Sequence, residues 1–146
     1  MASVATDRAL IVDTGVLVAA ADLTDRRHNE CAELLEQDVG PLVTSAMVMA
    51  EAAYLLERDL GVDAELALYT SVIDGALLVE TLTAEDWRRV KELVNQYRDF
   101  PLGGTDASLI AIAERFKTTR VATLNRRHFG AVRPSHAAAF DIHPHR

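Results

Sequence analysis

Four consecutive apolar residues, Ala9 to Val12, lie near the start of the chain and are followed directly by Asp13. An uninterrupted apolar run of this length is typical of a strand that is buried on both faces, as in a parallel sheet covered by helices. This run therefore favours folds in which a buried parallel strand is flanked by helices on each side.

The rest of the chain alternates between strand and helix patterns. Strands are predicted at 8–13, 41–44, 76–83, 120–124 and 139–143. Helices are predicted over 25–38, from Thr44 or Ser45 to Gly61, from Asp63 onward, over 84–99 and from Thr105 onward. This order predicts an α/β fold, a three-layer sandwich whose central, mainly parallel sheet is flanked by helices.

The helix predicted over 84–99 is preceded by Thr83, which forms a capping-box pattern with Asp86. Its apolar residues recur at helical spacing, and one face carries Trp87, Val90, Leu93 with Val94, and Tyr97. We expect that face to pack in the core.

A length of 146 residues suits one domain with a substantial core, so a single domain over 1–146 is expected. No apolar run approaches the roughly 20 residues of a membrane span, and no membrane partner is expected. The stretch from Met1 to Asp7 lacks the basic start and apolar segment of a signal peptide. Cys31 is the only cysteine, which excludes an internal disulfide and fits a reducing cytoplasm.

The net charge of −7 conceals a strong asymmetry along the chain. Residues 1–114 carry 8 Lys and Arg against 21 Asp and Glu, whereas residues 115–146 carry 7 Lys and Arg and only Asp141 as an acid. Such a difference indicates either a polyanionic partner near the basic segment or a solvated basic face that balances an acidic body.

Asp13 is placed at the carboxyl end of the first predicted strand and is followed by Thr14. Ligands of open α/β sheets bind beyond the carboxyl ends of the strands, so this position predicts a functional acid. Aspartate is also favoured as a helix N-cap, and both interpretations of Asp13 stay open.

Two further acids have an inward-facing pattern. The helical neighbours of Glu51 at three and four residues are Met47, Val48, Tyr54 and Leu55. A carboxylate among apolar side chains is costly without a partner, so Glu51 predicts a functional site or a buried pair with Arg8. Asp106 opens its helix, where an acid is favoured by capping and by the helix dipole, yet its face continues into Leu109 and Ile110.

These three carboxylates are therefore expected to meet at one edge of the sheet. Clustered carboxylates repel each other and need a shared proton or a cation. Oxygen ligands without cysteine or histidine suit Mg²⁺, with Mn²⁺ as a substitute, better than zinc. Such a site predicts phosphodiester hydrolysis as the natural chemistry.

Four segments carry a family resemblance: "ALIVDTGVLVAAAD", "TSAMVMAEAAYLLERD", "LGGTDASLIAIAER" and "VATLNRRHFGAVRP". In this order they resemble the motifs of PIN-domain proteins, and specifically the VapC-type ribonuclease toxins of bacterial toxin–antitoxin pairs. The resemblance covers the chain from about Leu10 to Pro134. It implies a PIN fold and an Mg²⁺- or Mn²⁺-dependent endoribonuclease that cleaves structured RNA, either tRNA or rRNA. It also implies a homodimer and a cognate VapB-type antitoxin that blocks the active-site groove.

The resemblance assigns the family's acids to Asp13, Glu51 and Asp106 as catalytic metal ligands, with the hydroxyl of Thr14 beside them. Relatives often have Thr-x-Asp-x-x-Asp-Phe where this chain has "TLNRRHF". Asn125 therefore replaces an acid and is expected to hold a metal-bound water, which favours one firmly held ion over two. His128 replaces a second acid and is left out of the predicted catalytic set.

The positive charge around this motif is interpreted as a contact for RNA phosphates. The predicted RNA-binding residues are Arg126, Arg127 and Arg133, with Arg115 and Arg120 nearby. The alternative for each arginine is ordinary solvated surface.

Two rival functions remain. A haloacid-dehalogenase-type phosphatase also has an acid at the end of its first strand, but it needs a second Asp where this chain has Gly15. A catalytically weak or inactive PIN module that binds RNA or a protein partner is supported by Asn125. The histidines at 136, 143 and 145 receive no role, and the segment from Asp141 onward is interpreted as a tail.

Overall fold

A computed structural model describes residues 6–145 and contains one five-stranded sheet. The strands are β1 (Leu10–Val12), β2 (Leu42–Ser45), β3 (Leu78–Glu80), β4 (Arg120–Ala122) and β5 (Asp141–His143). Their order is β3-β2-β1-β4-β5, and every neighbouring pair is parallel. The predicted α/β sandwich on a parallel sheet is confirmed, and all five predicted strands are present, some of them shorter than expected.

Helices connect and cover the strands. After a short 3₁₀ turn (Thr6–Arg8) they are α1 (Thr14–Ala21), α2 (His28–Gln37), α3 (Ala46–Leu60), α4 (Val62–Ile73), α5 (Ala84–Gln96), α6 (Gly104–Phe116) and α7 (Arg126–Ala131). The predicted start of α2 at Asp25 is three residues early, because Asp25 forms a turn in which its carboxylate accepts from the backbone of Arg27. Helices α1 and α7 are not among the predicted helices.

The core lies around β1, whose three residues are completely buried. This explains the uninterrupted apolar run in the sequence, since helices cover both faces of the central strand. Helix α6 is buried continuously from Ala107 to Glu114 and packs against α5 and the sheet. Burial of each large apolar side chain here, such as Ile110, contributes about 2 kcal/mol.

The predicted core face of α5 is wrong at Trp87 and Val94, which are 51% and 37% exposed. Val90 and Leu93 are buried as predicted. The inward face is rotated by one position because Asp86, next to Trp87, is turned inward and bonded to an arginine of α6. The predicted capping box of Thr83 and Asp86 is present.

The C-terminal segment is not a tail, because Asp141–His143 forms an edge strand paired with β4. The stretch considered for a signal peptide lies largely outside the described residues. Within the described part of the chain, no helix combines the length and apolarity needed to cross a membrane.

Candidate active site

Asp13 follows β1 and lies between this strand and β4, since its backbone N–H donates to the carbonyl of Ala122 at 2.9 Å. Its carboxylate accepts from the backbone N–H of Thr14 at 2.8 Å and from the hydroxyl of Thr123 at 2.7 Å. The same side chain caps α1. The two interpretations of Asp13 are therefore compatible, because a capping acid at a strand end also faces the space beyond the sheet.

The predicted acids converge on one cleft. A cavity of about 630 Å³ beyond the carboxyl ends of β1 and β4 is lined by Asp13, Thr14, Glu51, Asp106, Asn125 and His128, together with Gly103 and Gly104 at the start of α6. Four separate elements contribute these side chains: the starts of α1, α6 and α7, and the second turn of α3. This arrangement agrees with the expectation that the three carboxylates meet at one edge of the sheet.

Glu51 lines the cleft for a different reason from the one predicted. Its side chain is exposed rather than buried among apolar residues, since Tyr54 on the same face is itself 62% exposed. Within residues 6–145 it forms no ion pair with Arg8, which precedes β1 at the other end of the strand. The inward-facing pattern around Glu51 thus marked a pocket wall and not a core position.

The surroundings of Asp13 in the cleft disfavour its ionised form. Burial raises the pKa of Asp13, and the carboxylates of Asp106 and Glu51 raise it further. Hydrogen bonds from Thr123 and Thr14 lower the pKa but do not compensate, and its net value is about 6. The cleft therefore holds an acid that ionises at a higher pH than an ordinary aspartate.

Two observations fit a cation in this position. Among the described residues, no lysine or arginine forms an ion pair with Asp13, Glu51 or Asp106. The buried hydroxyl of Thr14 likewise finds no hydrogen-bond partner within that part of the chain. A hard divalent ion with its waters would supply both the missing positive charge and a partner for the hydroxyl, and the oxygen donors suit Mg²⁺ or Mn²⁺.

Asn125 ends the strand segment because it caps α7, its amide oxygen accepting from the backbone N–H of His128 at 3.2 Å. The imidazole Nδ1 of His128 lies 2.9 Å from Asp106 Oδ2 and 2.8 Å from the Asn125 amide nitrogen. One ring nitrogen carries either a proton or a lone pair, so it bonds only one of these two partners at a time.

His128 is thus a cleft residue that sequence reasoning left out. The available signal was its position, where the family pattern has a second acid. A histidine that follows two arginines is commonly a surface residue, and only the start of α7 beside α6 brings its ring against Asp106.

The predicted RNA-contacting arginines differ in their surroundings. Arg127 is exposed, with its guanidinium 5.2 Å from the centre of the Phe100 ring, and Arg133 is exposed. Arg126 donates to the carbonyl of Pro144 at 3.1 Å. A second cleft of about 500 Å³ shares Leu124 and Asn125 with the acidic cleft and is lined by Arg27, Glu30, Arg126 and Arg127.

Arg115 and Arg120 do not belong to this surface. Arg115 pairs with Asp86 and Glu80, and Arg120 pairs with Asp38 at the amino end of β4. Both arginines neutralise acids of the protein itself.

Comparison with known proteins gives matches over most of the chain. The PIN domain family model matches residues 10–133. Ribonuclease VapC26 of Mycobacterium tuberculosis is 34% identical over 135 residues, which cover 92% of this chain and all of that protein.

Solved structures share the fold at lower identity. Mycobacterium tuberculosis VapC20, described as a sarcin–ricin loop cleaving toxin, has a TM-score of 0.71 at 23% identity and covers 77% of this chain and 86% of that chain. A toxin–antitoxin complex from Klebsiella pneumoniae has a TM-score of 0.65 at 18% identity, covering 84% and 92%. FitAcB from Neisseria gonorrhoeae has a TM-score of 0.61 at 15% identity, covering 82% and 90%.

Proposed function

The chain belongs to the PIN-domain family as a VapC-type ribonuclease toxin, and we propose that it is a Mg²⁺-dependent endoribonuclease, with Mn²⁺ able to substitute. The single observation that carries this proposal is the group of three carboxylates that line one cleft without an arginine or lysine partner among residues 6–145.

Asp13, Glu51 and Asp106 would hold the ion, directly or through water. Such an ion lowers the pKa of a bound water and stabilises negative charge on a phosphoryl oxygen. Asp13 is suited to this role because two hydrogen bonds orient its carboxylate and because burial limits its access to bulk water.

The remaining cleft residues would position the substrate. The hydroxyl of Thr14, which has no hydrogen-bond partner among residues 6–145, would donate to a phosphate oxygen or to a water, and the amide of Asn125, which lines the cleft, would orient a water. When Nδ1 of His128 carries a proton it donates to the Asp106 carboxylate, so we assign His128 a positioning role. Asn125 stands where the family pattern has an acid, so the cleft has one carboxylate fewer, which favours one tightly held ion over two.

The basic cleft beside the acidic one would receive the RNA strand. Arg126 and Arg127 line it, and Arg133 lies further along the same segment on the surface. Guanidinium groups bind phosphates without regard to sequence, so this surface would supply affinity and leave the choice of cleavage site to RNA shape. A structured RNA, either tRNA or rRNA, is the proposed substrate class, and the cytoplasm is the proposed compartment.

Exposed apolar side chains on α3 and α4 would serve protein partners. They are Tyr54, Leu60, Val62, Leu66 and Ile73, with exposures between 38% and 82%. Val62, Leu66 and Ile73 recur at helical spacing along α4 and therefore share one exposed face, which supports a protein interface there. We propose that a VapB-type antitoxin and a second copy of this chain are the partners, and that the antitoxin inhibits by covering the cleft. We also propose that residues 1–146 form a single PIN domain.

The test is end-mapping of total bacterial RNA incubated with purified, antitoxin-free protein in Mg²⁺, Mn²⁺ or EDTA. Discrete cuts that require metal and disappear in Asp13→Ala would support the enzyme and identify its substrate. Glu92→Gln, a surface acid on α5, serves as the matched control and should cut normally.

A module that binds RNA or protein without cutting is the alternative, and Asn125 favours it. If folded protein produces no cuts with either metal, and Asn125→Asp produces them, the binding-only function would replace the proposed one.

A further inference from the structure

A second group of metal-ligating side chains lies at the far edge of the sheet, outside the acidic cleft. Asp141 and His143 belong to β5, and His145 follows two residues later. One ligand atom from each lies within 4.8 Å of the other two. We propose that these three residues bind a transition-metal ion of the imidazole-preferring class, of which Zn²⁺ is the example.

The strand register places two of the ligands together. β5 pairs in parallel with β4, and the backbone is held at both ends, with Asp141 N–H donating to Thr119 at 2.8 Å and Thr123 N–H donating to His143 at 3.0 Å. Side chains alternate along a strand, so Ile142 turns into the core while Asp141 and His143 share the opposite face.

His145 completes the group. Its Nε2 lies 2.9 Å from one carboxylate oxygen of Asp141, and Nε2 of His143 lies 3.0 Å from the other. The two rings stack with their centres 4.2 Å apart. Ligands of a tetrahedral zinc lie about 3.3 Å from each other when each metal–ligand bond is about 2.0–2.1 Å. Each imidazole nitrogen therefore lies a few tenths of an ångström too close to its own carboxylate oxygen, and all three ligand atoms already lie within 4.8 Å of one another, so small side-chain rotations bring them around one ion.

Nearby charges leave the Asp141 carboxylate available. Arg120, its partner in the sheet register, directs its guanidinium to Asp38 and to the carbonyl of Arg8. Glu33 on α2 lines the adjoining cleft of about 340 Å³ together with both histidines, which adds negative potential beside the site. The arrangement therefore attracts a cation and leaves further coordination positions to water.

The donor set separates this site from the acidic cleft. Two imidazoles and one carboxylate suit Zn²⁺, Ni²⁺ or Cu²⁺, whereas an all-oxygen set suits Mg²⁺ and Mn²⁺. The two sites would therefore bind different ions in one solution, and a bound Zn²⁺ would fasten the edge strand to the segment whose Pro144 carbonyl accepts from Arg126.

The test is titration calorimetry of the full chain, carrying no added histidine tag, with Zn²⁺ alone as ligand in buffer that contains millimolar Mg²⁺. We expect one Zn²⁺ per chain. His145→Gln, at a residue exposed enough to spare the fold, and His143→Gln should each weaken binding at least tenfold, and the double variant should lose it.

Two controls make the result decisive. His136→Gln removes an imidazole that bonds Thr118 instead of this cluster and should leave Zn²⁺ affinity unchanged. Asp13→Ala should also leave it unchanged, which separates this site from the proposed nuclease centre. Equal Zn²⁺ affinity in the wild type and the double histidine variant, or loss of binding in Asp13→Ala alone, would overturn the proposal. Zn²⁺ should also raise the melting temperature of the wild type and not that of the double variant.

Discussion

Asp13 and Glu114 are almost equally buried, at 8% and 7% exposed, yet their pKa values move in opposite directions. Burial opposes ionisation of both. For Glu114 this is overcome by Arg89, which donates at 2.7 and 3.0 Å, and by the backbone N–H of Ser135, so its pKa is held below the usual value. Asp13 has only hydroxyl and amide donors and two acidic neighbours, and its pKa rises to about 6.

The same contrast extends to two groups of acids. Asp38, Asp86 and Glu114 each pair with an arginine, namely Arg120, Arg115 and Arg89 in that order. The cleft acids Asp13, Glu51 and Asp106 have no such partner in the part of the chain that the structure describes. The acids Asp38, Asp86 and Glu114 are neutralised by arginines of the protein itself, and the contrast supports the proposed cation site in the cleft.

The largest expected effect is the loss of RNA cleavage when a carboxylate of the acidic cleft is removed. Asp106→Asn keeps the shape of the side chain but removes a charge, and we expect RNA cleavage to fall by about 10³-fold, or about 4 kcal/mol in the activation free energy. The measurement is the initial rate of cleavage under metal saturation, with Glu92→Gln as control. A loss of less than tenfold would show that two carboxylates suffice.

Loss of an arginine partner from one of the paired acids should lower the stability of the fold. Arg89→Ala leaves the buried carboxylate of Glu114 without its guanidinium, and we expect the free energy of unfolding to fall by about 3 kcal/mol. Urea denaturation measures this loss, and Arg88→Ala on the exposed side of α5 should change stability by less than about 0.5 kcal/mol. Equal losses in the two variants would contradict the distinction between the groups.

In the metal-free protein, Asp13→Asn should stabilise the fold. A raised folded pKa means that the native state binds more protons than the unfolded state between about pH 4 and 6, so wild-type stability falls as pH rises through that window. Above it the variant escapes this penalty and should gain about 2 kcal/mol in EDTA.

Addition of Mg²⁺ should reverse that order, because the ion binds the wild-type carboxylate and not the amide. Thermal unfolding of the wild type and of Asp13→Asn at pH 7.5, once with EDTA and once with Mg²⁺, measures the expected gain and its reversal. Identical melting temperatures of the two proteins in all conditions would contradict both the unfavourable ionisation of Asp13 and the binding of Mg²⁺ to its carboxylate.

The smallest effect concerns acid pH. The lowered pKa of Glu114 means that its contribution to stability is present above the usual value of 4.5 and is lost as pH falls through the lower folded pKa. Stability of the wild type should therefore fall more steeply below pH 4.5 than that of Glu114→Gln. Urea midpoints from pH 3 to 6 measure the two slopes, and parallel slopes would contradict the prediction.

The sequence by itself determined the order of the five strands, five of the seven α-helices described over residues 6–145, the buried central strand, and the positions of Asp13 and Asp106 at element starts. These features depend on short-range periodicity and on capping preferences, which operate within a few residues along the chain. The strand before Asn125 was predicted as well, although it ends at Ala122 and not at Leu124. Helix α7, which Asn125 caps, was missed because a six-residue helix has too few apolar positions to show a period.

Only the tertiary structure decided which charges meet. Asp106 and His128 are 22 residues apart, and Arg115 and Asp86 are 29 apart, so nothing local predicts either contact. The exposure of Glu51 and of Trp87 depended likewise on how each helix is rotated against its neighbours, since one residue turns a helical side chain by about 100°. A helical pattern identifies an amphipathic element, but long-range packing selects the face that is buried and the partner that each charge finds.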